Sequence, residues 1–213
     1  KNIGIFWLRD DFRLTKNKAL SFASNNHENV IAIYIFKKAE YENKREAQRW
    51  WIYKSLANFR ETLNKYNINL ELHISDTYDD FFEKNLNKGN FSIYWNRVYE
   101  PKFLKYDLKL SKKLKLKNIN FKIFKGNILN ENNEVKKGDG TPFKVFTPFW
   151  KNAELLYLNK NNFKKNSIKK NIKKVNILNK NFNLNEILPT KNWYEKFNKY
   201  WNPSEKEALK KND

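Results

Sequence analysis

Cysteine and methionine are both absent from this 213-residue chain, and histidine occurs only twice. Without cysteine there can be neither a disulfide framework nor a thiolate metal site, which fits a cytoplasmic protein. His27 and His73 stand alone in sequence, with no His/Asp/Glu cluster at metal-ligand spacing. Both read as surface or strand-edge residues, and no metal site is expected. Glycine is scarce, and none follows the first apolar run: Leu8 is succeeded by Arg9-Asp10-Asp11-Phe12-Arg13, which argues against an ordinary dinucleotide-binding loop. No Ser-His-Asp or Cys-His arrangement suggests nucleophilic catalysis. No apolar run approaches the roughly 20 residues of a membrane span, and no signal-like segment opens the chain, so no membrane partner is expected. The chain begins without Met and ends in Lys-Lys-Asn-Asp, and is read as a fragment.

Acidic residues are also in short supply. Forty-three Lys and Arg face 23 Asp and Glu, giving a net charge of +20 and a pI near 9.8. Two readings stand side by side: a polyanionic partner, favoured by counterion release and steering, or the Lys, Asn and Ile bias of AT-rich coding. Apolar residues make up 40% of the chain and aromatics 16%. The first two-thirds can therefore bury a core, while a mean hydropathy of -0.89 requires a very polar surface and tail.

Apolar runs at Ile3–Leu8, Val30–Phe36, 70–74, Phe91–Trp95 and 119–124 read as strands, the first two as central strands buried on both faces. Between them, helical spacing occurs from Thr15 and Asn17 through Phe22, over Glu46–Tyr66, over Asp76–Leu86 with Leu86 inward, and over Phe103–Leu116. Strands alternating with helices predict an α/β fold, a Rossmann-like five-stranded parallel sheet with helices on both faces. Residues 37–45 read as a polar loop. Gly138 to Lys151 reads as a turn followed by an aromatic clamp, in its bland version a hydrophobic plug under a loop. A short helix is expected over Lys151–Leu158, and residues 159–185, rich in Asn and Lys, read as a linker poor in core residues. Trp193 to Trp201 forms a helix-like aromatic cluster, and another helix begins around Pro203.

In such a sheet, ligands bind outside the carboxyl ends of the strands, near the switch in strand order. Loops 9–13, 37–45 and 96–100 are expected to converge there, offering Arg9, Asp11, Asn96 and Glu100 to a polar, partly aromatic small molecule. Asp10 and Asp11 read as surface or capping groups rather than an acid/base pair, and Asp11 and Arg13 as partners within their loop. The residues alone reach a ligand-binding α/β domain with a basic exterior.

Four collinear segments carry a more specific message. Ile5-Phe6-Trp7-Leu8-Arg9-Asp10-Asp11-Phe12-Arg13-Leu14, followed by Asn17, Ala19 and Leu20, resembles the opening of the DNA photolyase and cryptochrome family. Arg49 to Leu56 is similar to that family's long second helix. Tyr94-Trp95-Asn96-Arg97-Val98-Tyr99-Glu100-Pro101 is similar to its Trp-Asn-x-x-x-Glu-Pro segment, and Gly140 to Lys151 to its Pro-Phe-Trp-Lys motif in bacterial photolyase wording. Trp201 to Leu209 resembles the helix that opens the family's second domain.

The resemblance implies an organisation: an antenna domain over 1–126, a connection over 127–158, a linker over 159–192 and the start of a helical FAD-binding domain over 193–213. It implies a parent that is a monomeric flavin-dependent deoxyribodipyrimidine photolyase, repairing UV-damaged DNA by light-driven electron transfer. FAD, the relay tryptophans and most lesion contacts belong to the second domain. This segment carries no catalytic residue and is expected to be inactive alone; Arg9, Asp11, Asn96 and Glu100 become candidates for binding an antenna chromophore, a folate or a deazaflavin. Lys16 and Val98 stand where many members have Asp, and Ser204 where Gly is usual, so the antenna's identity stays open. The alternatives are a cryptochrome-like blue-light photoreceptor and a stand-alone basic module binding nucleic acid.

Overall fold

The structure, a computed structural model, describes residues 2–85, 90–131, 133–159, 167–169, 172–175 and 182–211. The expected inward Leu86 lies outside them. Five strands, β1 (Ile3–Leu8), β2 (Val30–Lys37), β3 (Asn69–Ser75), β4 (Phe91–Asn96) and β5 (Asn120–Phe124), form one sheet in the order β3-β2-β1-β4-β5. Every pairing is parallel, with Ile5 opposite Ile31 on one side and Ile93 on the other. The helices between them are α1 (Lys18–Asn26), α2 (Lys38–Glu42), α3 (Glu46–Asn64), α4 (Tyr78–Asn85) and α5 (Pro101–Leu116).

The period of two in a strand divides the core. Phe6 and Leu8 of β1 pack with Leu20 of α1 and with Leu56, Phe59 and Leu63 of α3. Ile5 and Trp7 point the other way, against Phe81 and Phe82 of α4 and Leu110 and Leu114 of α5. The sheet is thus covered on both faces, which is why β1 and β2 read as nearly continuous apolar runs. Strand order reverses between β1 and β4, because β2 and β3 extend to one side of β1 while β4 and β5 extend to the other. Among the described residues no helix is long and apolar enough to cross a membrane.

Several expectations need correction. Residues 38–42 of the supposed polar loop form α2, with Lys37 and Lys102 both paired to Glu40. His73 lies on the edge strand β3 but is buried, its ring 4.8 Å from that of Phe81, because α4 covers that face of the strand. His27 is half-buried at the end of α1, where Nε2 lies 2.8 Å from the Tyr94 hydroxyl. The stretch 159–185 is not poor in core: its described residues Ile168, Ile172, Phe182 and Leu184, with the following Ile187, are buried in the α1/α3 layer. They rest against partners from the sheet and helices, as where Phe182 meets Phe36 and Tyr41.

The turn at Gly138–Gly140 is present, closed by Gly140 N–H donating to Lys137 O at 2.9 Å, with Gly140 at φ 82°. Its aromatic sequel is no plug. Helix α6 runs over Phe146–Asn159, longer than the expected Lys151–Leu158. Pro148 is accommodated because the first turn of a helix leaves its N–H groups unpaired anyway. Of the side chains described on α6, Ala153 alone is buried, while Phe146 is 70% and Trp150 44% exposed, stacked on each other at 6.2 Å. A 3-10 segment over Asn192–Lys199 and helix α7 (Glu205–Lys210) close the described chain.

Candidate chromophore-binding site

The carboxyl ends of β1 and β4, where strand order reverses, open into a cavity of about 240 Å³. Arg9, Asp11, Asn96 and Glu100 all line it, so the structure brings the four candidates together. Phe6 and Trp7 contribute apolar lining. Loop 37–45 does not reach the cavity, since it is folded into α2; Gly126 and Asn127, after β5, take its place.

Arg9 is buried beside the cavity. Its Nη1 donates to Asp107 Oδ1 at 2.7 Å, and its guanidinium lies over the rings of Trp7 at 4.5 Å and Phe103 at 4.8 Å. Such stacking suits the planar, weakly hydrated guanidinium better than an ammonium. Asp107 also accepts from Trp95 Nε1 at 3.1 Å, so one buried carboxylate joins β1, β4 and α5. Among the described residues Arg9 Nη2 has no hydrogen-bond partner. It is enclosed among the Trp7, Tyr78 and Phe103 rings.

Asn96, the last residue of β4, holds the neighbouring loop by both ends of its amide. Nδ2 donates to Asp11 Oδ2 and to Asn17 Oδ1, each at 2.9 Å, and Oδ1 accepts from Ala19 N–H at 3.1 Å. Asn17 in turn caps α1 by accepting from Leu20 N–H at 3.1 Å and donates to Arg13 O at 2.9 Å. Asp11 pairs with Arg13 Nε at 2.8 Å, as expected within the loop. Burial nevertheless holds the Asp11 carboxyl above its ordinary range, against the opposing pull of Arg13 and Asn96. Glu100 opens α5: its carbonyl accepts from Phe103 N–H at 2.9 Å and Leu104 N–H at 3.0 Å, leaving the exposed carboxylate at the rim.

A second network supports the far wall. Arg97 Nη1 donates to both oxygens of Glu131 at 2.6 Å, and the Tyr99 hydroxyl donates to Glu131 Oε1 at 2.8 Å while accepting from Gly126 N–H at 3.1 Å. Burial, with Glu131 adding to it, pushes the Tyr99 phenol up to about 12, so it stays a donor at neutral pH. Gly126 passes so close to Arg97 that a Cβ would lie 2.0 Å from its carbonyl oxygen; only glycine fits without a shift. Sequence reasoning missed Asp107, Glu131 and Gly126. Asp107 had a visible signal: it interrupts the apolar stripe Phe103, Leu110, Leu114 on the inner face of α5. Glu131 and Gly126 had none.

The arrangement offers donors, acceptors and aromatic faces without a nucleophile–base pair. Among the described residues no cluster of His, Cys, Asp and Glu could hold a metal ion. A cavity with such a lining can admit a small, polar, partly aromatic molecule.

Comparison with known proteins matches the sequence and fold to one family. A family model described as DNA photolyase matches residues 4–166. A curated deoxyribodipyrimidine photo-lyase from Agrobacterium fabrum is 31% identical over 98% of this chain, and the match spans 43% of that relative. Cryptochrome-2 of Arabidopsis thaliana is 29% identical over 69% of the chain and 24% of its own length. Among solved structures, a bacterial class III photolyase from Agrobacterium tumefaciens superposes with a TM-score of 0.80 at 30% identity, over 98% of this chain and 43% of that one. The chain therefore spans less than half the length of these relatives.

Proposed function

The chain belongs to the DNA photolyase family, and from that premise we propose that it is the antenna-binding α/β part of a longer light-driven DNA-repair flavoprotein. The parent's substrate is then UV-damaged DNA carrying pyrimidine dimers. Its FAD sits in a helical second domain, of which 193–213 is the beginning, with 127–158 as connection and 159–192 as linker. The observation that carries the reading is the cavity at the β1/β4 switch point, with Arg9, Asp11, Asn96 and Glu100 around it. Arg9, Asp11, Asn96 and Glu100 would hold the polar part of a folate or deazaflavin. Asn96 holds Asp11 in place at the cavity, and Phe6 and Trp7 would supply the apolar lining. Such a chromophore, when bound, absorbs light and passes the excitation to the flavin. This chain's residues bind and orient it and carry out no bond-making step.

Two measurements test the proposal. Titration of the chain with a methenyl-tetrahydrofolate or an 8-hydroxy-deazaflavin should show saturable binding that Asn96→Ala weakens at least tenfold. No saturable binding of either would remove the antenna reading. Repair of a UV-damaged oligonucleotide under blue light should be absent with this chain and present with the full-length parent. A second reading, a blue-light photoreceptor without repair activity, draws support from the 29% identity to a plant cryptochrome. It would be favoured by a full-length parent that binds flavin but repairs nothing.

A further inference from the structure

The loop between β1 and α1 is held by a residue from far along the chain. Glu205, at the start of α7, accepts from two consecutive backbone N–H groups: Leu14 N–H to Oε2 at 2.7 Å and Thr15 N–H to Oε1 at 2.9 Å. One carboxylate spanning two adjacent amides makes a fixed, charge-assisted contact. The loop turns sharply at this point, with Lys16 at φ 56° and Asn17 N–H donating to Leu14 O at 3.3 Å. The segment before α7 is docked twice more, both times onto α3. Asn58 Nδ2 donates to Asn202 Oδ1 at 2.7 Å and to Pro203 O at 3.2 Å, and the Trp201 ring meets that of Trp51 at 6.1 Å.

That loop is the one that carries Asp11 to the cavity, with Arg13 paired to it at 2.8 Å. We propose that Glu205 is a positioning residue, a carboxylate latch that fixes the β1–α1 loop and so couples the docking of segment 201–210 to the arrangement of the switch-point cavity. Three groups act on the Asp11 carboxyl: Arg13 from its own loop, Asn96 from β4 and Glu205 from α7, whose negative charge opposes Asp11 ionisation. Released from Glu205, the Leu14 and Thr15 amides lose their partner and the loop gains conformations in which Asp11 no longer faces the cavity. A ligand must then bear the cost of reordering it. As far as ligand affinity goes, the inference rests on the cavity reading above. The latch itself does not.

The experiment compares wild type with E205A, E205Q and E205D by NMR, and adds a titration with methenyl-tetrahydrofolate as the cavity probe. Loss of a charged acceptor should accelerate hydrogen exchange at Leu14 and Thr15 about tenfold or more in E205A, with partial recovery in E205D. The side-chain carboxyl of Asp11 should titrate at lower pH in E205Q, because an opposing charge is gone; a contact that served only to fasten α7 would leave probe affinity in place. Probe affinity should fall several-fold in E205A and E205Q. Unchanged exchange in E205A, or an unchanged Asp11 titration in E205Q, overturns the latch, as does undiminished probe affinity in both variants. If the wild type binds no probe, the cavity reading fails, and the two NMR measurements still decide for or against the latch.

Discussion

Removing the carboxylate of Asp107 is the most searching test of how the cavity is held. Its side chain and that of Arg9 are each 5% exposed, and their ion pair spans 2.7 Å. At an effective dielectric near 20, two unit charges about 4 Å apart attract by about 4 kcal/mol. Breaking a buried pair from one side typically costs about 3–5 kcal/mol, because the remaining charge stays buried without compensation. Arg9 is poorly placed to find relief, since among the described residues its Nη2 has no partner and its flanks are the rings of Trp7 and Phe103. Trp95 Nε1 would lose its acceptor as well. Asp107→Ala is therefore predicted to lower stability by about 4 kcal/mol, a large share of the roughly 5–15 kcal/mol available to a domain. For a chain of this size that corresponds to a fall in Tm of about 10 °C. Urea unfolding followed by near-ultraviolet circular dichroism, which reports on Trp7 and Trp95, measures both stability and local packing. The double replacement Arg9→Met with Asp107→Leu should recover most of the loss, since exchanging a whole buried pair for apolar groups is often neutral. A loss below about 1 kcal/mol in Asp107→Ala, or a double variant no more stable than the single one, would refute the reasoning.

Three other outcomes are expected. Asn96→Ala should cost about 2 kcal/mol in urea unfolding, because it leaves the buried Ala19 N–H and Asn17 side chain short of partners; a value near zero would mean that water replaces the amide. Asp11 has a folded pKa raised above 3.8, so the folded state holds that proton more tightly than the unfolded chain does. Its contribution to stability is thus lost as pH rises from 3.8 through the raised value. Stability-against-pH curves of wild type and Asp11→Asn should diverge in that window, the wild type falling relative to the variant, and parallel curves would contradict the direction. Finally, Phe146→Ser and Trp150→Ser, on the exposed face of α6, should each change the stability of this chain by less than about 0.5 kcal/mol. A loss above about 2 kcal/mol in thermal melts would restore the plug reading.

What could be read in advance follows from where the physics is local. Strands β1, β2 and β4 are buried on both faces and so announce themselves as uninterrupted apolar runs. That Arg9, Asp11, Asn96 and Glu100 share one cavity was legible because they follow such runs, at the sheet edge where parallel topology places ligands. Helix α2 was not, being five residues long with no buried side chain. Ile168, Ile172 and Phe182 were hidden because their surroundings are Lys and Asn, and no local period marks an isolated apolar side chain that inserts into a distant core. Glu205 belongs with them: its hydrogen bonds span 190 and 191 residues, and nothing near it in sequence hints at Leu14.

The burial of Ile168, Ile172, Phe182, Leu184 and Ile187 beside α1 and α3 also bears on the order of events while the chain is being made. All five strands have been synthesised once Phe124 is complete, yet one face of the sheet cannot be sealed until Ile187 has left the ribosome. At ordinary elongation rates those roughly 60 residues take on the order of several seconds. During that interval the nascent domain presents Phe36 and Tyr41 to solvent or to a chaperone, and the lysine- and asparagine-rich segment that follows works as a late-arriving cover for a half-finished domain.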